Sequence, residues 1–105
     1  MINETVNSIT VIINPDHGFR DTFIIANPIY INKITDIINS ANREPILFIP
    51  EYRLVIHMKD SIKIVNVNKE NIGIWGIHGC QTFRINEDLG KLLQMYFEES
   101  KKSKK

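Results

Sequence analysis

Between Tyr52 and Ile85, apolar side chains return at every second position in four successive runs. That alternation limits the chain to few folds. Tyr52, Leu54, Ile56 and Met58 alternate with Arg53, Val55 and His57, and Ile62 and Ile64 alternate with Lys63, Val65 and Val67. Ile72 and Ile74 alternate with Gly73, Trp75 and Ile77, and Phe83 and Ile85 with Thr82 and Arg84. Successive side chains of a strand project to opposite faces, so each run reads as a strand with one face turned to a core. Turn formers separate the runs, which predicts an antiparallel meander.

A slip of one residue would send every side chain of a strand to the wrong face, so the pairing can be reasoned from the pattern. A two-residue turn at His78-Gly79, with Gly79 supplying the positive φ, places Ile77 opposite Cys80, Trp75 opposite Thr82, Ile74 opposite Phe83 and Ile72 opposite Ile85. A three-residue loop, Lys59-Asp60-Ser61, aligns Ile56 with Ile64 and Met58 with Ile62, and a loop at Asn68-Lys69-Glu70 sets Ile64 against Ile74. The expected core face is Leu54, Ile56, Met58, Ile62, Ile64, Ile72, Ile74, Phe83 and Ile85.

Upstream, Ser8 to Ile13 and Arg20 to Ala26 read as strands around the turn cluster Asn14-Pro15-Asp16-His17-Gly18, and Ile46 to Ile49 as a short strand stopped by Pro50. Asn27-Pro28 is a cap followed by a first helical residue, and Ile31, Ile34, Ile38 and Ala41 then recur at helical spacing. This predicts a helix over 28–42. A second amphipathic stretch, with Leu89, Leu92, Leu93, Tyr96 and Phe97 on one stripe, predicts a helix over 87–99 capped by Asn86, with Glu87 and Asp88 at the positive end of its dipole. The fold class is α+β: an antiparallel sheet of five to seven strands with both helices on one face. Residues 1–100 make one domain, and 101–105 a disordered lysine-rich tail.

Over the whole chain 13 basic residues face 12 acidic ones, but four of the lysines lie in residues 101–105, and without them nine basic side chains stand against twelve acidic. An acidic body disfavours general nucleic-acid binding. Cys80 is the single cysteine, which precludes an intramolecular disulfide and a cysteine-rich metal site. With no leader pattern and no long apolar run, the chain reads as cytoplasmic and without a membrane span. Its wealth of isoleucine, asparagine and lysine is the bias of an AT-rich coding sequence and associates it with bacteria or phages.

The densest stretch chemically is "NIGIWGIHGCQTF", residues 71–83. His78 and Cys80, one residue apart at a hairpin tip, diverge instead of forming a thiolate–imidazole pair, and no orienting acid stands near. His17, His57, His78 and Cys80 come from separate loops and strands with no paired ligand spacing, which argues against metal. No cofactor motif is present, since the glycines have neither phosphate-loop nor dinucleotide spacing.

Trp75 is the residue that packing does not absorb. On the face away from the core it stands in a row with His57, Lys63 and Thr82, with Arg53 and Arg84 near enough for Arg84 to lie over the indole. Aromatic anchors beside arginine are enriched at binding hot spots. The alternative is that strands 8–13 and 20–26 form a second layer that covers Trp75. The expectation is a small non-enzymatic protein-binding module, an accessory or immunity-like factor. It would use Trp75, Arg84, Lys63, His57 and Arg53 to hold another protein or its own copy, with no cofactor. Two other classes stand beside it: a single-stranded nucleic-acid binder that stacks a base on Trp75, and a small metal- or thiol-dependent enzyme.

Overall fold

A computed structural model describes residues 2, 4–15, 21–76 and 79–102, the last three by backbone alone. The chain runs β1 (Val6–Ile13), β2 (Thr22–Ile25), α1 (Pro28–Asn39), β3 (Asn42–Arg43), β4 (Tyr52–Met58), β5 (Ile62–Asn68), β6 (Asn71–Gly76), β7 (Gly79–Arg84) and α2 (Leu89–Lys102). All seven strands form one antiparallel sheet in the order β2-β1-β4-β5-β6-β7-β3. The α+β architecture is as the alternation predicts. The first two strands, however, lengthen the same sheet and do not build a second layer over Trp75.

One face of the sheet carries the core. Ile9 opposes Ile56, Val11 opposes Leu54, Leu54 opposes Val65 and Val67 opposes Ile72, and all of these side chains are fully buried. Helix α1 adds Ile31, Ile34, Ile37 and Ile38, and α2 adds Leu89 and Leu93. Each large apolar side chain hidden this way contributes about 1.5–3 kcal/mol before entropy is subtracted. At one end Phe23 stacks on Phe97 at 4.9 Å, and Tyr30 meets Tyr96 edge-on at 4.7 Å, which joins β2, α1 and α2. Tyr30 also donates a hydrogen bond of 2.8 Å to the Glu99 carboxylate.

The helix ends follow local chemistry. Asn27 Oδ1 accepts from the Ile29 amide at 2.9 Å, and Pro28 takes the first position, where no amide is needed. α1 stops at Asn39, earlier than expected, because Asn42 and Arg43 are drawn into pairing with Arg84 and Phe83 as β3. α2 is capped by Asp88 and not by Asn86: Asp88 Oδ1 accepts from the Lys91 amide at 3.0 Å, and the helix begins at Leu89.

Two expectations fail in the middle of the chain. Residues 46–49 form no strand. Instead, residues 44–51 run in irregular, extended fashion from the β3 edge back to β4. The second failure concerns β5. Met58 donates to the Ser61 carbonyl and Lys59-Asp60 makes the loop, so His57 pairs with Ile62 and Ile56 with Lys63. At the far end Asn68 pairs with Asn71 around Lys69-Glu70, where Lys69 takes φ 52. Both loops are one residue shorter than predicted, so β5 alone is turned over. Val65 and Val67 enter the core, while Ile62 and Ile64 join the opposite face. The β6–β7 register also differs, with Trp75 opposite Cys80 and Ile72 opposite Phe83, but a shift of two preserves the faces. Gly79 has the predicted positive φ of 96, while Ile77 and His78 lie outside the described residues.

This register makes a direct prediction for stability. Val65→Thr places a hydroxyl in the core and should cost about 1–3 kcal/mol, whereas Ile62→Thr, at a side chain 60% exposed, should stay within about 0.5 kcal/mol of the parent. Urea midpoints of the two variants check it, and a reversed order would return β5 to the other phase.

Candidate functional site

The sheet face away from the helices is built by register. One row runs Ile24, Thr10, Val55, Ile64, and Trp75 opposes Cys80 on its continuation. The next row runs Ile12, Arg53, Asn66, Gly73, Thr82. Ser8, His57 and Ile62 lie on the other side of the first. The central row carries no charged side chain.

The 44–51 segment crosses only part of this face. Thr82 anchors its start, with Oγ1 donating to the Glu44 carbonyl at 2.7 Å and accepting from the Ile46 amide at 3.1 Å. Asn68 holds its end by donating to the Ile49 carbonyl at 2.7 Å, and the Glu51 amide donates to Val67. Between these anchors the backbone is extended and the side chains alternate. Ile46 and Phe48 are half-buried against the sheet, while Leu47 and Ile49 point away, 99% and 75% exposed. The segment is therefore an apolar ridge standing on the sheet.

Phe48 packs over Gly73. A Cβ there would lie 3.5 Å from the Phe48 ring, an ordinary contact, but only 2.8 Å from the Cys80 Sγ, so the thiol takes the space a side chain would fill beside the phenyl. Trp75, two residues along the same strand, stands beside this pair and is half exposed. The ridge and the uncharged row thus meet at Gly73, Trp75 and Cys80.

The predicted cationic frame of Trp75 does not form as expected. Lys63 opposes the buried Ile56 and so belongs to the helix-covered face. Arg84 opposes Asn71, four residues along β7 from the partner of Trp75, or ~13 Å down the ladder. It pairs there with Glu70 at 3.4 Å. An exposed pair of this kind contributes at most about 1 kcal/mol, and its carboxylate offsets the charge Arg84 would offer to a ligand. Arg53 and His57 are on the Trp75 face, half-buried and engaged: Arg53 Nε donates to Asn66 at 2.9 Å, and the His57 ring shares a hydrogen bond with Thr10 at 2.9 Å. Trp75 is flanked instead by Cys80 across the ladder and by Gly73 with Phe48 along its own strand, with Ile62 and Ile64 on β5 on the same face. The signal for the ridge was present in the sequence as four apolar residues between Pro45 and Pro50, since proline at both ends denies them a ladder.

Chemistry elsewhere is sparse. Among the described residues no three His, Cys, Asp or Glu side chains converge as a metal site, and His17 and His78 lie outside those residues. A cleft of about 360 Å³ at the start of α2 is lined by Glu51, Tyr52, Lys69, Asp88 and Lys91, whose opposite charges leave no single-sign field. Burial, and then the charges of Glu51 and Asp88, push the Tyr52 phenol up. Burial also pushes the Cys80 thiol up, away from the thiolate a nucleophile requires.

Cys80 should accordingly be alkylated by iodoacetamide, since it is exposed, but with a rate–pH profile displaced upward from that of a free thiol. Profiles measured by mass spectrometry decide this, and full reactivity already at neutral pH would contradict it.

Compared with known proteins, the chain matches no family model, and no curated protein or solved structure matches it significantly.

Proposed function

We propose that the chain is a small non-enzymatic protein-binding module whose docking surface is the open sheet face around Trp75 together with the Leu47–Ile49 ridge. The observation that carries this reading is the fully exposed Leu47 beside an exposed Ile49 and a half-exposed Trp75, all on one side of one sheet. Scattered apolar residues are ordinary on a protein surface, but a joined patch of large side chains is characteristic of an interface. Tryptophan at its centre and an uncharged row around it fit the desolvated middle of such a patch.

The composition of the patch also separates this reading from a base-stacking nucleic-acid binder. A stacking platform needs cations along a phosphate track beside the aromatic ring. Here the nearest neighbours of Trp75 are uncharged, Lys63 is on the other face, Arg53 is bonded to Asn66 and Arg84 is held by Glu70. That no cationic track runs beside Trp75 among the described residues supports an apolar protein partner over a nucleic acid.

Leu47→Asp alters a side chain already in water in the monomer and should leave the thermal midpoint of dilute protein within a few degrees of the parent, and Trp75→Ala, at a half-exposed ring, should still fold. If the face is a docking surface, affinity capture with the tagged chain should retain a defined protein that either variant loses, by at least about 30-fold at a hot spot. Unchanged capture by both variants would overturn the reading.

A further inference from the structure

We propose that the occupant of this face is a second copy of the chain, seated about a two-fold axis so that the ridge of each copy lies on the apolar floor of the other. The inference rests on the reading of the face as a docking surface. What singles out a second copy is that this surface carries both halves of a fit. An isologous contact requires that whatever projects from a patch be received by another part of the same patch. The ridge of Leu47 and Ile49 projects, and the row of Val55, Ile64 and Trp75, with Ile62 beside it, is the recess next to it. They adjoin at Phe48, which sits on Gly73 within two residues of Trp75.

Area and charge agree with this occupant. Ile24, Leu47, Ile49, Ile62 and Trp75 are between half and wholly exposed. At ~150–250 Å² for a large side chain they offer on the order of 600 Å² of surface. The half-buried Val55, Ile64 and Phe48 bring this towards the ~800 Å² per partner of a stable interface. Two acidic bodies would repel across a charged surface, but the central row, Ile24-Thr10-Val55-Ile64, and the crest of the ridge contain no acid or base. The basic and titratable groups that flank this row, Arg53 and His57, are half-buried and bonded to Asn66 and Thr10.

Sedimentation equilibrium of the full chain from about 1 to 100 µM tests the pairing. The expected species is a dimer of twice 12.2 kDa, with Trp75 emission shifting to the blue as dimer forms. Leu47→Asp on the ridge and Ile62→Asp on the floor, both at exposed positions, should each weaken association by at least about 100-fold and hold the emission red, with unchanged circular dichroism. Wild-type protein that stays monomeric at the highest concentration overturns the proposal, and so does a dimer whose mass neither variant alters. The capture assay above reads separately. A monomer that still retains a protein in a Leu47-dependent way refutes the self-pairing and leaves the docking surface standing, whereas unchanged capture together with a variant-insensitive dimer removes both.

Discussion

The pairing of β1 with β4 is the constraint from which the rest of the molecule follows. Ile9 lies against Ile56 and Val11 against Leu54, without solvent access, although more than forty residues separate them in the chain. It is the longer of two long-range joins, the other being the two-residue β3 edge on β7, and the rest of the sheet is made of hairpins. To make it, the chain must leave β2, reach the far edge at β3, and return to the middle. The outward passage is α1, which covers one face and fills the core. The return is residues 44–51, on the other face. Passing β5, β6 and β7 between β3 and β4 takes four spacings, ~19 Å at ~4.8 Å per strand, well within the ~26–29 Å that eight extended residues reach. The return segment is held on the sheet by its anchors at Thr82 and Asn68 and not by its length.

An extended segment lying on a sheet must alternate its side chains, inward and outward. Ile46 and Phe48 take the inward positions, so Leu47 and Ile49 are left in water by geometry and not by local preference. A chain under no other demand would place polar residues there, as it does on the exposed face of α1 with Asn32, Lys33 and Asp36. Two aliphatic side chains at such positions are a standing cost unless something covers them. That links the central pairing to the proposed docking surface: the topology creates a ridge, and the sequence makes the ridge apolar.

The alternation over 52–85 was enough to read the sheet, its antiparallel order and the helix-bearing face, because β4, β6 and β7 each have one apolar phase. β5 was misread because Ile62-Lys63-Ile64-Val65-Asn66-Val67 is apolar in both phases, first at even and then at odd positions. The pattern alone cannot rank two isoleucines against two valines. What decides is polar satisfaction: in the adopted phase Asn66, itself buried, bonds to Arg53, and Asn68 bonds to the crossing segment. In the other phase both asparagines would face the core. Lys69 at positive φ is the small strain accepted at the turn. Because the loops on both sides of β5 shortened by one residue, the errors cancelled, and Trp75 was placed on the correct face by a register that was wrong in between.

The candidate site was legible in its centre and not in its surroundings. Trp75 could be assigned outward from the phase of β6 alone, whereas its neighbours depend on β5, on the β6–β7 offset and on the crossing segment. A cationic setting became an aliphatic one, which changes the chemistry the face can recognise. Gly73 shows how closely the parts are linked. A Cβ at 73 would meet the Phe48 ring in ordinary contact but would displace the Cys80 thiol, which occupies that space instead. Burial raises the pKa of this thiol, which fills space beside the phenyl and is less readily ionised than a free cysteine. Gly73, in the chemically densest stretch of the sequence, is thus a packing device, and what it packs is the junction between ridge and floor.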